Sequence, residues 1–272
     1  MEGTIGLAFL LTAVAGVSTG IGSFVALLSD QGGRKFLALS LGFSAGVMIY
    51  ISMAEILVQG QRTLTEALGR RAGGWTAALA FFGGIAAIAL IDKLIPAAEN
   101  PHERPRTLGP EPGTAAISPG ARAQLLRMGV LTAAAVTVHN FPEGMATFVV
   151  ALRSPSLALP VVAAIALHNI PEGIAVSVPV YRATGSRRRA FILSFLSGLA
   201  EPAGALIGYL LLRPYLSEAV YGGLFAAVAG VMVFISLDQL LPTAERYGEH
   251  HLAIYGLVAG MAVMAASLLL FI

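Results

Sequence analysis

Eight long apolar stretches constrain this chain more than any other feature, because each is long enough to cross a membrane as a helix. A hydrocarbon core of roughly 30 Å takes about 20 apolar residues in helical form. Strands of a membrane barrel would be about ten residues long and would alternate in polarity, unlike these stretches. We therefore predict an all-α integral membrane protein with eight transmembrane helices, over residues 4–28, 36–58, 75–95, 124–150, 157–181, 190–212, 218–241 and 252–271.

The composition supports a chain that lies in a lipid bilayer. Hydrophobic residues make up 56% of it and charged residues only 12%, whereas an ordinary soluble domain is about 25% charged. The net charge of +2 gives no reason to expect a nucleic-acid partner, and the lack of cysteine excludes disulfides and thiolate metal sites. The first charged residue, Glu2, is acidic rather than basic and is followed by a long apolar run, so we expect a retained helix within one transmembrane domain, residues 1–272.

Basic residues in the connecting segments predict how the helices are oriented. The segments after helices one, three, five and seven contain eleven Lys and Arg, the other segments contain five, and Lys93 at a helix end is set aside. Cytoplasmic loops carry the excess of basic residues, so we expect both termini outside the cytoplasm. The longest connection, residues 96–120, is rich in proline and has little to bury, which predicts a flexible cytoplasmic loop.

The chain repeats one motif in two consecutive helices. Helix four contains His-Asn-Phe-Pro-Glu-Gly at 139–144, and helix five contains His-Asn-Ile-Pro-Glu-Gly at 168–173. A weaker sequence similarity relates a segment of helix two, 45–52, to a segment of helix seven, 229–236. The members of each pair cross the membrane in opposite directions, which is the pattern of an inverted repeat. Secondary transporters bind their substrate near the midplane, where such repeats meet.

Each copy of the motif combines an imidazole with a carboxylate four residues later, on one face of the helix. His139 pairs in this way with Glu143, and His168 with Glu172. These ligand types suit zinc and other first-row divalent ions. The neighbouring asparagines can offer carbonyl oxygens, and the prolines each leave one helix carbonyl without its usual partner. The remaining candidate ligands of the motif are Asn140 and Asn169.

Helix six adds a third buried carboxylate, Glu201, beside a proline in an apolar run. Helices four, five and six have no Lys or Arg near their centres, so a metal dication is the simplest counter-charge. Hydrogen bonding to a neighbouring helix is the alternative role for a single membrane histidine or for Glu201. Met48 is a secondary candidate because Met in an apolar helix usually serves packing. Glu55 and Asp238 could line an ion path, and the histidines of the loops are more simply explained as solvated residues: His102, His250 and His251.

Through the two motif copies the sequence resembles the ZIP family of metal transporters, and the resemblance extends over all eight helices. It implies a 3+2+3 arrangement of inverted repeats, with a two-metal site between helices four, five and six. The first ion would be held by His139, Glu143, His168 and Glu172, with Met48; the second by Asn140, Asn169 and Glu201, with Glu143 and Glu172 bridging. Several family members have Gln-Asp where this chain has His168-Asn169, so the second site is less acidic here.

The resemblance also implies a function. We expect import of zinc into the cytoplasm across a bacterial inner membrane by alternating access, with iron, manganese, cobalt and cadmium as further candidate ions. The metal is then the substrate and no cofactor is expected; the oligomeric state is open, with a homodimer as one candidate. The alternative hypothesis is an enzyme, an intramembrane zinc hydrolase, but the sequence contains no HExxH motif. A metal-gated sensor or channel also remains open.

Overall fold

The structure is a computed structural model that describes residues 2–29, 34–94, 119–153, 155–212, 215, 217–246 and 250–270. These residues form eight helical spans, two of which contain a short π-helical segment and one of which is interrupted at Leu199. The spans are α1 (Glu2–Ser29), α2 (Arg34–Ile51, Ser52–Ile56 and Leu57–Leu68), α3 (Arg70–Leu94), α4 (Pro119–Arg153), α5 (Pro155–Thr184), α6 (Arg187–Gly198 and Ala200–Leu212), α7 (Glu218–Ile235, Ser236–Leu240 and Leu241–Arg246) and α8 (His250–Leu270).

The predicted all-α membrane fold is confirmed. Among the described residues, seven helices are long and apolar enough to cross a membrane. The remaining span, α4, has 35 residues and packs against α5 and α6 inside the bundle. The predicted loop 96–120 lies outside the described residues, except for Pro119 and Gly120, which begin α4.

The largest difference from prediction is the length of α2, which continues to Leu68 rather than ending near residue 58. Its last segment carries polar residues on one face but buries Gly60 and Leu64 against α7. An amphipathic helix remains stable when its apolar face is covered, so a criterion based on continuous apolar residues ended this helix too early. Gly69, at a φ of 83°, terminates the helix.

The eight spans pack as two groups of four. Helices α1, α4, α5 and α6 contact one another extensively and form what we call the motif group. Helices α2, α3, α7 and α8 form the flanking group, with α2 packed along α8 and α3 along α7. The two groups meet mainly where α2 contacts α5 and where α4 contacts α7.

The two π-helical segments reveal the inverted repeat in the flanking group. They begin at Ser52 in α2 and at Ser236 in α7, the last positions of the two segments that resemble each other in sequence. The Ser52 hydroxyl donates to the Met48 carbonyl at 2.6 Å, and the Ser236 hydroxyl donates to the Met232 carbonyl at 2.8 Å. Corresponding residues thus make the same local contact in both helices.

Within the motif group, the same symmetry relates two close helix contacts, each of which forms at a glycine. A Cβ added at Gly144 would overlap the backbone of Glu201 in α6, and one added at Gly173 would overlap the Thr19 carbonyl in α1. The α4–α6 contact therefore corresponds to the α5–α1 contact. These paired contacts are the ones expected from the predicted inverted repeat, in which α1, α2 and α3 correspond to α6, α7 and α8, and α4 corresponds to α5.

Candidate metal centre

Both copies of the repeated motif lie in the interior of continuous helices. Pro142 and Pro171 each occupy an internal position, and α4 and α5 continue through them. Five motif side chains are at most 1% exposed: Asn140, Glu143, His168, Asn169 and Glu172. The side chain of His139 lies outside the described part of the chain, so its predicted role stays a prediction.

Contacts between helices join the two motif copies to each other and to α6. His168 Nε2 lies 3.3 Å from Glu143 Oε2, which connects α5 to α4. The Asn169 amide donates to Glu201 Oε1, which connects α5 to α6. Glu143 and Glu172 also interact electrostatically with both His168 and Glu201. The fold therefore brings the predicted carboxylates into one buried region.

The two asparagines hold the neighbouring helices in symmetric positions. Asn140 Nδ2 donates to the Ser197 carbonyl in α6 at 3.2 Å. Asn169 Nδ2 donates to the Ala15 carbonyl in α1 at 2.9 Å. In both cases the amide nitrogen is used for structure, which leaves the amide oxygen available for a ligand.

Several buried atoms of this region have no hydrogen-bond partner among the described residues. Buried polar atoms in proteins almost always have a partner, so each exception needs an explanation. They are oxygens that accept but cannot donate when the carboxylates are ionised. The atoms are Asn140 Oδ1, Glu143 Oε1, Asn169 Oδ1 and Glu201 Oε2. A cation would provide these oxygens with a partner.

The charge balance of the region also favours a cation. Glu143, Glu172 and Glu201 are all buried, and the first two interact electrostatically with the third, whereas no Lys or Arg is buried among the described residues. Each uncompensated charge inside a membrane costs several kcal/mol on the lower experimental scales. A divalent ion supplies the missing positive charge with little volume.

The described side chains are not already arranged around one point. Among them, no three His, Asp or Glu residues are close enough together to hold a metal ion as they stand. Ion binding would therefore require the Glu143 and Glu172 side chains to change rotamer, or His139 to complete the site. The ligand assignments made from the sequence stay predictions.

Residues outside the motif have varied surroundings. Met48 is fully buried in α2, and its symmetry mate Met232 in α7 is 1% exposed, so both contribute to the core. Glu55 and Asp238 lie in the two π-helical segments. His250 pairs with Glu245 at 2.8 Å on the exposed surface, whereas His102 lies outside the described residues.

Two buried features near the motif were missed by the sequence analysis. The Ser44 hydroxyl of α2 donates to the His168 carbonyl at 3.3 Å and so connects the flanking group to the motif group. Thr19 and Ser23 of α1 are fully buried beside α5. The signal for α1 was present as closely spaced Ser, Thr and Gly over residues 16–23, a composition that permits close helix contact in membranes.

Comparison with known proteins gives consistent matches over most of the chain. A family described as "ZIP Zinc transporter" matches residues 99–268. The protein named "Zinc transporter ZupT" of Streptococcus mutans is 60% identical over 265 residues, which cover 97% of each chain. Proteins of the same name from Clostridium perfringens and Chlorobium chlorochromatii are each 56% identical, over 98% and 100% of this chain and 96% and 100% of their own.

Proposed function

The chain belongs to the ZIP family of zinc transporters, and we propose that it imports zinc into the cytoplasm by alternating access to a two-metal site in the motif group. The observation that carries this proposal is the burial of Glu143, Glu172 and Glu201 together, without any buried Lys or Arg among the described residues. Buried carboxylates in a membrane are stabilised by a cation or by protonation, and a metal ion and protons can therefore exchange at this region.

The proposed first ion binds imidazole and carboxylate groups, and the second binds only oxygens. The 3.3 Å contact between His168 and Glu143 supports the first, because both groups could turn toward one ion. The unpartnered oxygens of Asn140, Asn169 and Glu201 support the second. The ligands of the first ion are His139, Glu143, His168, Glu172 and Met48; those of the second are Asn140, Asn169 and Glu201, with Glu143 and Glu172 shared.

The division into two helix groups supports alternating access. All the proposed ligands except Met48 belong to the motif group, and the contacts between the groups are less extensive than those within them. A displacement of the motif group would carry the ions without breaking its internal contacts. In a protein with an inverted repeat, the inward-open and outward-open conformations can be related by symmetry, because the same two helix groups exchange equivalent contacts.

The chemistry of the ligands supports release as well as binding. Carboxylate, amide and imidazole ligands bind first-row ions without the strong preference for soft metals that thiolates give. Iron, manganese and cobalt are therefore proposed as further substrates, and cadmium, a softer ion, is proposed only through the thioether of Met48. The proposed location is a bacterial inner membrane with both termini outside the cytoplasm.

Zinc flux into proteoliposomes containing a zinc indicator tests this function. We expect saturable flux in wild type and a loss of at least about tenfold in Glu143→Ala and His168→Ala, since each change removes a ligand of the first ion. Glu66→Ala and His251→Ala are matched controls, because both residues are exposed and lie far from the motif in sequence. Flux that does not saturate would indicate a channel, and undiminished flux in both ligand variants would refute the site.

A further inference from the structure

The inverted repeat gives Glu201 a symmetry mate in α1 that carries a hydroxyl instead of a carboxylate. Glu201 packs its backbone against Gly144 of the first motif copy, and Thr19 packs its backbone against Gly173 of the second. The asparagine bonds follow the same relation, since Asn140 donates to Ser197, four residues before Glu201, and Asn169 donates to Ala15, four residues before Thr19. Thr19 therefore occupies the second equivalent position around the site.

Thr19 and Glu201 lie on either side of one close helix crossing. A Cβ added at Gly16 would lie 2.5 Å from the Gly198 carbonyl oxygen, and one added at Gly198 would lie 2.9 Å from Thr19 Oγ1. Gly16 is three residues from Thr19 and Gly198 is three from Glu201. Because the two helices run oppositely, each residue lies about 4.5 Å from the crossing on its own side, and the two Cα positions are about 9 Å apart along the helix axes.

The side chains of Thr19 and Glu201 lean toward the crossing from opposite directions. Helices α1 and α6 run oppositely, and every Cα–Cβ bond in a helix tilts toward its own N-terminus. Asn169 links the two helices on the Glu201 side of the crossing, because its amide nitrogen donates both to Ala15 of α1 and to Glu201 of α6. The Thr19 side chain therefore tilts toward the crossing from one side, and the oxygens assigned to the second proposed ion lie on the other.

The hydroxyls of Thr19 and Ser23 differ from the two other buried hydroxyls of α1 because they have no hydrogen-bond partner among the described residues. Thr12 Oγ1 donates to the Ala8 carbonyl at 2.9 Å, and Ser18 Oγ donates to the Ala15 carbonyl at 2.5 Å. Thr19 is equally buried, yet its Oγ1 has no hydrogen-bond partner among the described residues. A buried hydroxyl without a protein partner indicates a bound water or ion.

We propose that Thr19 is a specificity-determining residue whose hydroxyl oxygen contacts the second ion, directly or through a water bound to it. This inference rests on the proposed function and adds a residue from α1 to a site otherwise built from α4, α5 and α6. The unpartnered Asn169 Oδ1 and Glu201 Oε2 supply the neighbouring oxygens. A ligand set of oxygens alone suits manganese better than zinc, which gains more from imidazole nitrogen.

The test compares manganese and zinc in Thr19→Val, which keeps the shape of the side chain and removes the oxygen. We expect the ratio of kcat/KM for Mn²⁺ to that for Zn²⁺ to fall about five- to tenfold, the effect of losing one polar contact. Thr19→Ser keeps the oxygen and should retain the wild-type ratio. Thr12→Val is the matched control, since that buried hydroxyl already has a backbone partner.

Electron paramagnetic resonance of Mn²⁺ bound to purified protein provides a second measurement that does not require transport. Weaker Mn²⁺ binding in Thr19→Val and in the smaller Thr19→Ala, but not in Thr19→Ser, supports the inference. An unchanged ion ratio in Thr19→Val, or an equal change in Thr12→Val, overturns it. Absence of flux in wild type would instead refute the proposed function, while the Mn²⁺ binding series would still decide the role of Thr19.

Discussion

Replacing Gly144 by alanine should separate α4 from α6 at the level of the candidate metal centre. The added Cβ would lie 2.5 Å from the Cα of Glu201, whereas carbon atoms in contact prefer about 3.5–4.0 Å. The two helices must therefore move apart by about 1 Å, because the neighbouring atom belongs to the backbone and cannot rotate away. The Asn140–Ser197 hydrogen bond, already 3.2 Å long, would then exceed hydrogen-bonding distance.

The expected loss of unfolding free energy has two parts: overpacking, about 1–3 kcal/mol, and one lost hydrogen bond, about 0.5–1.5 kcal/mol. We expect Gly144→Ala to lower the free energy of unfolding by about 2–4 kcal/mol. Zinc flux should fall as well, since Glu201 moves away from Asn169. Equilibrium unfolding in mixed micelles measures the stability, and proteoliposome flux measures the function.

Gly223→Ala in α7 is the matched control, because nothing lies within 4 Å of a Cβ added there. Alanine favours a helix over glycine by about 1 kcal/mol, so this variant should be neutral or slightly stabilised and should transport normally. Gly144→Ala protein with a stability within about 0.5 kcal/mol of wild type, and with normal flux, would refute the close-contact argument.

Two further substitutions probe the charge and the packing of the centre. Asn140→Asp should destabilise the metal-free protein by about 1–3 kcal/mol, because an ionised carboxylate cannot donate to Ser197 and adds a buried negative charge. In thermal unfolding, excess zinc should stabilise this variant more than it stabilises wild type. Equal stabilisation of both proteins by zinc would contradict this prediction. Met48→Leu conserves core volume and should transport zinc at nearly the wild-type rate. If the Met48 sulfur is a ligand, the same variant should transport cadmium, a softer ion, less well relative to zinc, and an unchanged cadmium-to-zinc ratio would leave Met48 a packing residue.

The symmetry of the molecule was only partly visible in the sequence. The duplicated motif predicted the relation of α4 to α5 because six residues recur with one difference. The relation of α1 to α6 had no such signal, since Thr19 and Glu201 differ in type and only their contacts with Gly173 and Gly144 identify them as mates. Symmetry between helix contacts depends on backbone positions, which dissimilar side chains can preserve.

The sequence by itself determined the membrane class, the helical fold, the relation of α4 to α5 and of α2 to α7, and the family. Each depends on the order of residues along a single helix, through apolar length and motif spacing. Only the tertiary structure decided that α2 continues to Leu68, that Ser44 connects the two helix groups, and that Thr19 occupies the position equivalent to that of Glu201. These features depend on which faces of distant helices meet, and one-dimensional periodicity does not specify that because many pairings would bury the same apolar surface.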